Sequence, residues 1–180
     1  MSVDTVLRKR SFAILSWLLP LLPLLPTLAV LGLLMEDVNS GLLIAIAPPF
    51  VGIAVMRRIL ISRVILGGSE LRVVNAIFTY HLTYDSISSV GVNSGGTLIV
   101  EGMYGERIHA GGFGGSVVDH FLGASARAAE SVKAQVRKSR KKTQAEPVKK
   151  KISRSWLGDA FLVLALIFGI WAVVLEMSGS

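Results

Sequence analysis

The 180-residue chain contains no cysteine. Disulfide scaffolding and anchoring through a lipobox cysteine are thereby excluded, while the absence says little about redox compartment. Histidine is scarce: only His81, His109 and His120. Two fall on different expected strands and one stands beside Asp119. No Glu-x-x-His pair and no nucleophile elbow accompanies them, so neither a metal, a cofactor nor an enzymatic activity is expected. The third scarcity is local. Residues 11–35, 38–56 and 160–175 hold no charged side chain over 25, 19 and 16 positions. What fills those runs makes the chain 52% hydrophobic, with a mean hydropathy of +0.60. That is too apolar for an ordinary soluble domain, so a membrane class comes first.

A helix crossing the hydrocarbon core needs about 20 residues. The first run is long enough and the second adequate. The third becomes adequate over 156–177, with Asp159 snorkelling near an interface. Pro20, Pro23 and Pro26 interrupt the first run and Pro48 and Pro49 the second. Each lacks a backbone donor, and each costs roughly 3 kcal/mol in a soluble helix interior. The expectation is a helical hairpin over 11–57, with a bent first span (11–35) packed on the second (38–56) as a kinked anchor rather than a pore. A cleaved leader is not expected, because the first run is too long and no small-x-small site follows it. Trp17, Trp156 and Trp171 sit toward span ends and read as interfacial anchors.

Lys and Arg accumulate on the cytoplasmic side of spans. Arg8, Lys9 and Arg10 precede the first run, within a basic amino-terminal segment (1–10). Glu36 and Asp37 join it to the second, and Arg57, Arg58 and Arg63 follow. Lys149, Lys150, Lys151 and Arg154 precede the third run, and only Glu176 follows it. All flanks agree on a multi-pass protein of the cytoplasmic membrane with its amino terminus inside, residues 57–155 inside and its carboxyl terminus outside.

Charge is uneven. Residues 133–154 carry ten basic side chains against Glu146, a local +9 in a chain of +7. The remainder is slightly acidic, so the pI near 10.1 belongs to one basic linker (139–155) and the helix end before it. Lys138, Arg140, Lys141, Lys142, Lys149, Lys150, Lys151 and Arg154 are the candidate contacts to anionic inner-leaflet lipids, worth roughly 1 kcal/mol each near the surface. The same charges also serve simply to set topology. Nucleic acid is not an expected partner, because the stretch has no aromatic side chain for stacking.

Between the second and third runs the period changes from helical to two. Candidate strands cover 60–66, 70–75, 79–84, 87–92, 97–102 and 106–110. In "TYHLTY" (79–84), Tyr80, Leu82 and Tyr84 share one face and Thr79, His81 and Thr83 the other, as a half-buried strand needs. Short links make the set an antiparallel meander. "GGFGG" (111–115) reads as a strand-to-helix turn and fails the phosphate-loop pattern. Ser116 and Asp119 form a capping box. Val118, Phe121, Leu122, Ser125, Ala129, Val132 and Val136 then recur at helical spacing, so an amphipathic helix of about 20 residues closes the sheet. The fold class is membrane α+β: a transmembrane hairpin, a β-sheet module (58–138) capped by that helix, and one more transmembrane helix.

This arrangement resembles a pleckstrin-homology (PH) domain. "LRVVNAIFTYHLTYDSISSV" (71–90) and "GERIHAGGFGG" (105–115) are similar to segments of small bacterial PH-domain membrane proteins of the actinobacterial type, over about residues 58–135. The resemblance implies a non-enzymatic, membrane-anchored interaction or scaffold module, with a membrane or cytoplasmic protein as its partner besides lipid. An alternative is an accessory subunit of a transport or secretion complex whose spans are the working part.

Overall fold

A computed structural model describes residues 4–18, 21, 24–36, 40–114, 123–140 and 145–178. Eight short strands and five α-helices form among them. The chain divides into two units. Residues 1–13 and 61–153 make a β-rich unit, and residues 14–60 and 154–180 make a helical one.

In the β-rich unit the two-residue period sets the strands. β2 (Arg63–Leu66), β3 (Glu70–Val74) and β4 (Phe78–Thr83) form antiparallel hairpins in one sheet. A 3-10 turn over Tyr84–Ser86 leads to β5 (Ile87–Val92), β6 (Leu98–Gly102) and β7 (Arg107–His109) in a second sheet. Val64 pairs with Val73, and Leu66 with Leu71, which pairs with Leu82. Those residues share the inner face and are buried, while Arg72, Glu70 and His81 line the outer one. Val100, Leu98, Ile108 and Phe113 complete the core from the second sheet and its exit. Each fully buried aliphatic side chain there contributes about 1.5–3 kcal/mol.

Two strands lie outside the expected meander. β1 (Thr5–Leu7) adds to β2 in antiparallel register, with Leu7 against Val64. The basic segment 1–10 is therefore partly a sheet edge. β8 (Lys149–Ile152) adds to β4, so the linker expected over 139–155 is corrected at those four positions. The reason is backbone satisfaction. The free edge of β4 offers N–H and C=O groups that any extended segment can pair with. Ser153 N–H prolongs the pairing by donating to Ile77 O at 2.8 Å. Lysine is common on such edges because its charge discourages further pairing.

The closing helix, α4, spans Ala124–Ser139. It buries Ser125, Ala129 and Val132 of the expected stripe, together with Ala128, against the core, and Val136 of that stripe packs there half-buried. Its first residue follows Gly123, whose φ of 58° suits a residue without Cβ. The capping box at Ser116 and Asp119, and Val118, His120, Phe121 and Leu122, lie outside the described residues. Lys141 and Lys142 do too.

In the helical unit the described parts of the first run are two helices. α1 covers Arg10–Leu18 and α2 covers Leu24–Glu36. Pro20 and Pro23 lie outside the described residues. Pro26 is tolerated in the first turn of α2, where N–H groups have no intrahelical partner in any case. α3 (Ser40–Leu60) runs through Pro48 and Pro49 unbroken. α5 covers Trp156–Ser178. α3 and α5 are long and apolar enough to cross a membrane.

These two helices pack along their length. Phe50 meets Phe161 and Phe168 with ring centroids 5.7 Å apart in both cases. Leu43, Ile46 and Ile53 face Ala165 and Ala172 in one buried cluster. Gly158, Ala165 and Ala172 recur every seven residues and permit the close approach. A Cβ at Gly158 would lie 3.2 Å from Ala54 O. Arg58 pairs with Asp159 at 2.5 Å, at the end of α3 and the start of α5, so the two run antiparallel.

Candidate functional site

Six of the eight candidate basic residues are described, and the fold divides them. Lys138 occupies the last turn of α4, where a cation suits the negative end of the helix dipole. Arg140 follows as the C-cap. Its N–H donates to Val136 O at 2.9 Å, and its guanidinium donates through Nη2 to Ile87 O at 3.2 Å. Arg140 is thereby held against the end of β5. Lys149, Lys150 and Lys151 sit on β8, at the far edge of the other sheet. Arg154 is exposed in the short link to α5.

Strand geometry separates the three lysines again. Lys150 pairs across from Tyr80 and lies on the inner-facing side with Phe78. Its Nζ stands 3.7 Å from the centroid of the Phe78 ring and 5.9 Å from that of Tyr80. Lys149 and Lys151 pair with His81 and Thr79 and point to the opposite side. A flat anionic surface therefore cannot meet all three ammonium groups from one face of the sheet.

The outer face of this sheet is partly neutralised. Glu146 accepts a hydrogen bond from Lys149 Nζ at 2.6 Å, and that bond raises the lysine's pKa above its ordinary value. Glu70 Oε1 stands 3.1 Å from His81 Nδ1 and 3.5 Å from Arg72 Nε, and Arg72 also pairs with Asp4. Exposed pairs of this kind contribute little to stability. On the inner face, Tyr84 donates its hydroxyl to Gly67 O at 2.7 Å. Burial pushes that hydroxyl up to about 12.

The glycine-rich exit from β7 is a packing device. A Cβ on Gly112 would fall 2.6 Å from Ser62 O, and one on Gly114 would fall 2.3 Å from Thr97 Oγ1. Phe113 is buried between them, and its C=O accepts from Leu98 N–H at 2.9 Å. Asn75 ties the same segment down. Its Oδ1 accepts from Gly111 N–H and its Nδ2 donates to His109 O, both at 2.8 Å. Among the described residues, no three His, Asp or Glu side chains gather where they could hold a metal ion.

Two features escape a reading of residue type alone. Phe78 and Tyr80 seat Lys150, although nothing in their spacing marks them as cation sites. Lys133 and Arg137 belong to the basic stretch, yet the fold sets them beside β5, more than 40 positions earlier in the chain. The signal available was the three-and-four spacing of Glu130, Lys133, Arg137 and Arg140, which makes them one row on a helix flank. Compared with protein-family models, with curated proteins and with solved structures, the chain matches none.

Proposed function

We propose that the chain is a non-enzymatic, multi-pass membrane protein that presents a PH-like interaction module at the cytoplasmic face of the cell membrane. The observation that carries this reading is the outward surface of α3 and α5. A core helix of a soluble protein is mostly covered, whereas only 11% of the apolar stretch of α5 is buried. Leu166, Ile170 and Val174 project outward from α5, and Ile44, Val51 and Val55 from α3. Helices apolar on every side, with their outer faces uncovered, call for an apolar solvent.

The antiparallel pair supports the topology. The Arg58–Asp159 ion pair brings the end of α3 to the start of α5. The chain between them leaves and returns on one side of any bilayer the pair crosses. Arg57, Arg58 and Arg63 at the exit, and Lys149, Lys150, Lys151 and Arg154 at the return, support a cytoplasmic assignment of that side by the positive-inside bias. Of these, Lys149, Lys150, Lys151 and Arg154, together with Lys138 and Arg140, are the candidate contacts to anionic lipid headgroups. Support for the PH-like reading is the order of elements: consecutive antiparallel strands β2 to β7, then a helix whose buried face closes the core.

Cysteine labelling in intact cells tests it, because the chain has no native cysteine. Ser94→Cys lies in the exposed turn between β5 and β6, and Ser180→Cys follows α5. An impermeant maleimide is expected to label position 180 directly and position 94 only after lysis. Labelling of position 94 from outside would overturn the cytoplasmic assignment. Recovery of the chain in the soluble fraction would overturn the membrane assignment itself.

A further inference from the structure

The outer edge of β5 and one flank of α4 face each other across a cavity of about 390 Å³. Among the described residues, β5 has a partner on one side only, β6. The phase of the ladder identifies the spare backbone groups. Asn93 N–H donates to Thr97 O at 3.0 Å, on the β5–β6 side. Leu98 O accepts from Ala110 N–H at 2.9 Å, on the β7 side. Alternation along an antiparallel pair then turns Gly91 toward β6, and turns the N–H and C=O groups of Val90 and Val92 out of the edge. Ile87 illustrates what this edge accepts, because its C=O already takes a hydrogen bond from Arg140.

Across the cavity the row on α4 is cationic. Lys133 holds Glu130 at 2.9 Å, which leaves Arg137 and Arg140 as the net charge of the row. Val90 and Val136 supply an apolar floor, both packed against the core. The spacings also agree. A four-residue step on a helix advances about 6 Å, and a two-residue step on a strand about 6.8 Å. Alternate side chains of an added strand would therefore keep pace with Lys133 and Arg137 on α4, and Arg140 follows three residues on, at the C-cap.

We propose that the groove between β5 and α4 binds an extended acidic segment of a partner protein, which adds to β5 as a fourth strand and sets carboxylates against Lys133, Arg137 and Arg140. The occupant is a peptide because an open strand edge presents donors and acceptors at the strand repeat. Only another backbone satisfies both. This inference rests on reading the β-rich unit as an interaction module, and it names what that module takes.

The full chain in neutral maltoside micelles is titrated with a blocked, fluorescent peptide alternating Glu and Val over about eight residues, a length matched to a strand. A peptide with Lys in place of Glu serves as the comparison. The Glu peptide is expected to bind about tenfold or more tightly than the Lys peptide, and to weaken as salt rises from about 50 to about 500 mM. It is expected to slow amide exchange at Val90 and Val92. Lys133→Glu with Arg137→Glu, both on exposed positions, is expected to weaken binding by about tenfold or more, whereas Lys151→Glu on the other sheet leaves it unchanged. Val90→Pro removes one outward N–H without touching the ladder to β6, and is expected to weaken binding while the unfolding midpoint of the charge variants stays constant.

Equal affinity for the two peptides, no binding of either, or Glu-peptide binding that survives the charge reversals would overturn the proposal. If the reversals change only the affinity for micelles doped with phosphatidylglycerol, the groove serves lipid and the peptide assignment falls. Failure of the peptide alongside the expected cysteine-labelling pattern would remove this groove and leave the membrane-anchored module standing.

Discussion

Leu82 in β4 and Leu166 in α5 are the same side chain in opposite circumstances. Leu82 is wholly buried, and Leu166 is 64% exposed. Around Leu82 the β-rich unit sorts its residues by alternation, so that apolar groups face one way and Arg72, Glu70 and His81 the other. Around Leu166 nothing is sorted, because α5 is apolar on every face and meets α3 along one stripe that includes Phe161, Ala165, Phe168 and Ala172. The β-rich unit thus excludes water by folding on itself. The helical unit folds only enough to pair two helices and leaves the rest of its apolar surface to a surrounding solvent. Hydrophobicity alone does not distinguish the two; its period does.

That contrast can be broken first at its two leucines. Leu82→Ala is expected to destabilise the full chain in micelles by about 2–5 kcal/mol, the cost of a cavity in a close-packed core. Leu166→Ala is expected to cost less than about 0.5 kcal/mol in the same thermal melt, as at an uncovered site. Equal costs would mean that α5 is covered and that the contrast fails. Charge reverses the ranking. Leu166→Lys near the middle of α5 is expected to oppose insertion by about 2.5–3.5 kcal/mol and to lower the membrane-bound fraction. Val92→Lys on the exposed edge of β5 is expected to leave that fraction unchanged.

Tyr84 sharpens the picture of the β-rich core. Tyr84→Phe leaves Gly67 O without its donor and is expected to cost about 1–2 kcal/mol. Burial raises the hydroxyl from the ordinary 10.0 to about 12, so the folded chain holds this proton more tightly than the unfolded one. The stability it contributes is complete below pH 10 and is lost as pH rises through about 12. The difference between the two chains in denaturant melts should therefore narrow above pH 10. An unchanging difference would mean that Tyr84 is wet. The smallest effect is expected at the sheet edge. Lys150→Gln removes the ammonium over Phe78 and should cost about 0.5–1 kcal/mol in the same melts, with no change in membrane-bound fraction.

The six strands from Arg63 to His109 were legible from short apolar runs bounded by turn residues, with clear alternation in β3 and β6, and the buried face of α4 because Ser125, Ala129 and Val132 keep a helical period. β1 and β8 were not. "TVL" is three residues long, and "KKKI" alternates nothing. Their extended form depends on the free edges of β2 and β4, which exist only once the sheet is assembled. The first apolar run is described only in part. Its hydropathy suggests one span, and its described helices are α1 and α2, with Pro20 and Pro23 outside the described residues.

The candidate sites divide along the same line. That the chain carries a cluster of cations before its last apolar helix is a matter of composition, and sequence by itself determined it. It also determined the short-range elements, because periodicity and proline act over a few residues. Which cations stand together was decided by tertiary structure alone. Arg140 meets Ile87 O, Lys150 meets Phe78, and the row from Glu130 to Arg140 faces the open edge of β5. Those neighbours are dozens of positions apart in the chain. They meet because antiparallel pairing fixes which strand is left at an edge, and because the buried stripe of α4 fixes which flank is turned toward it.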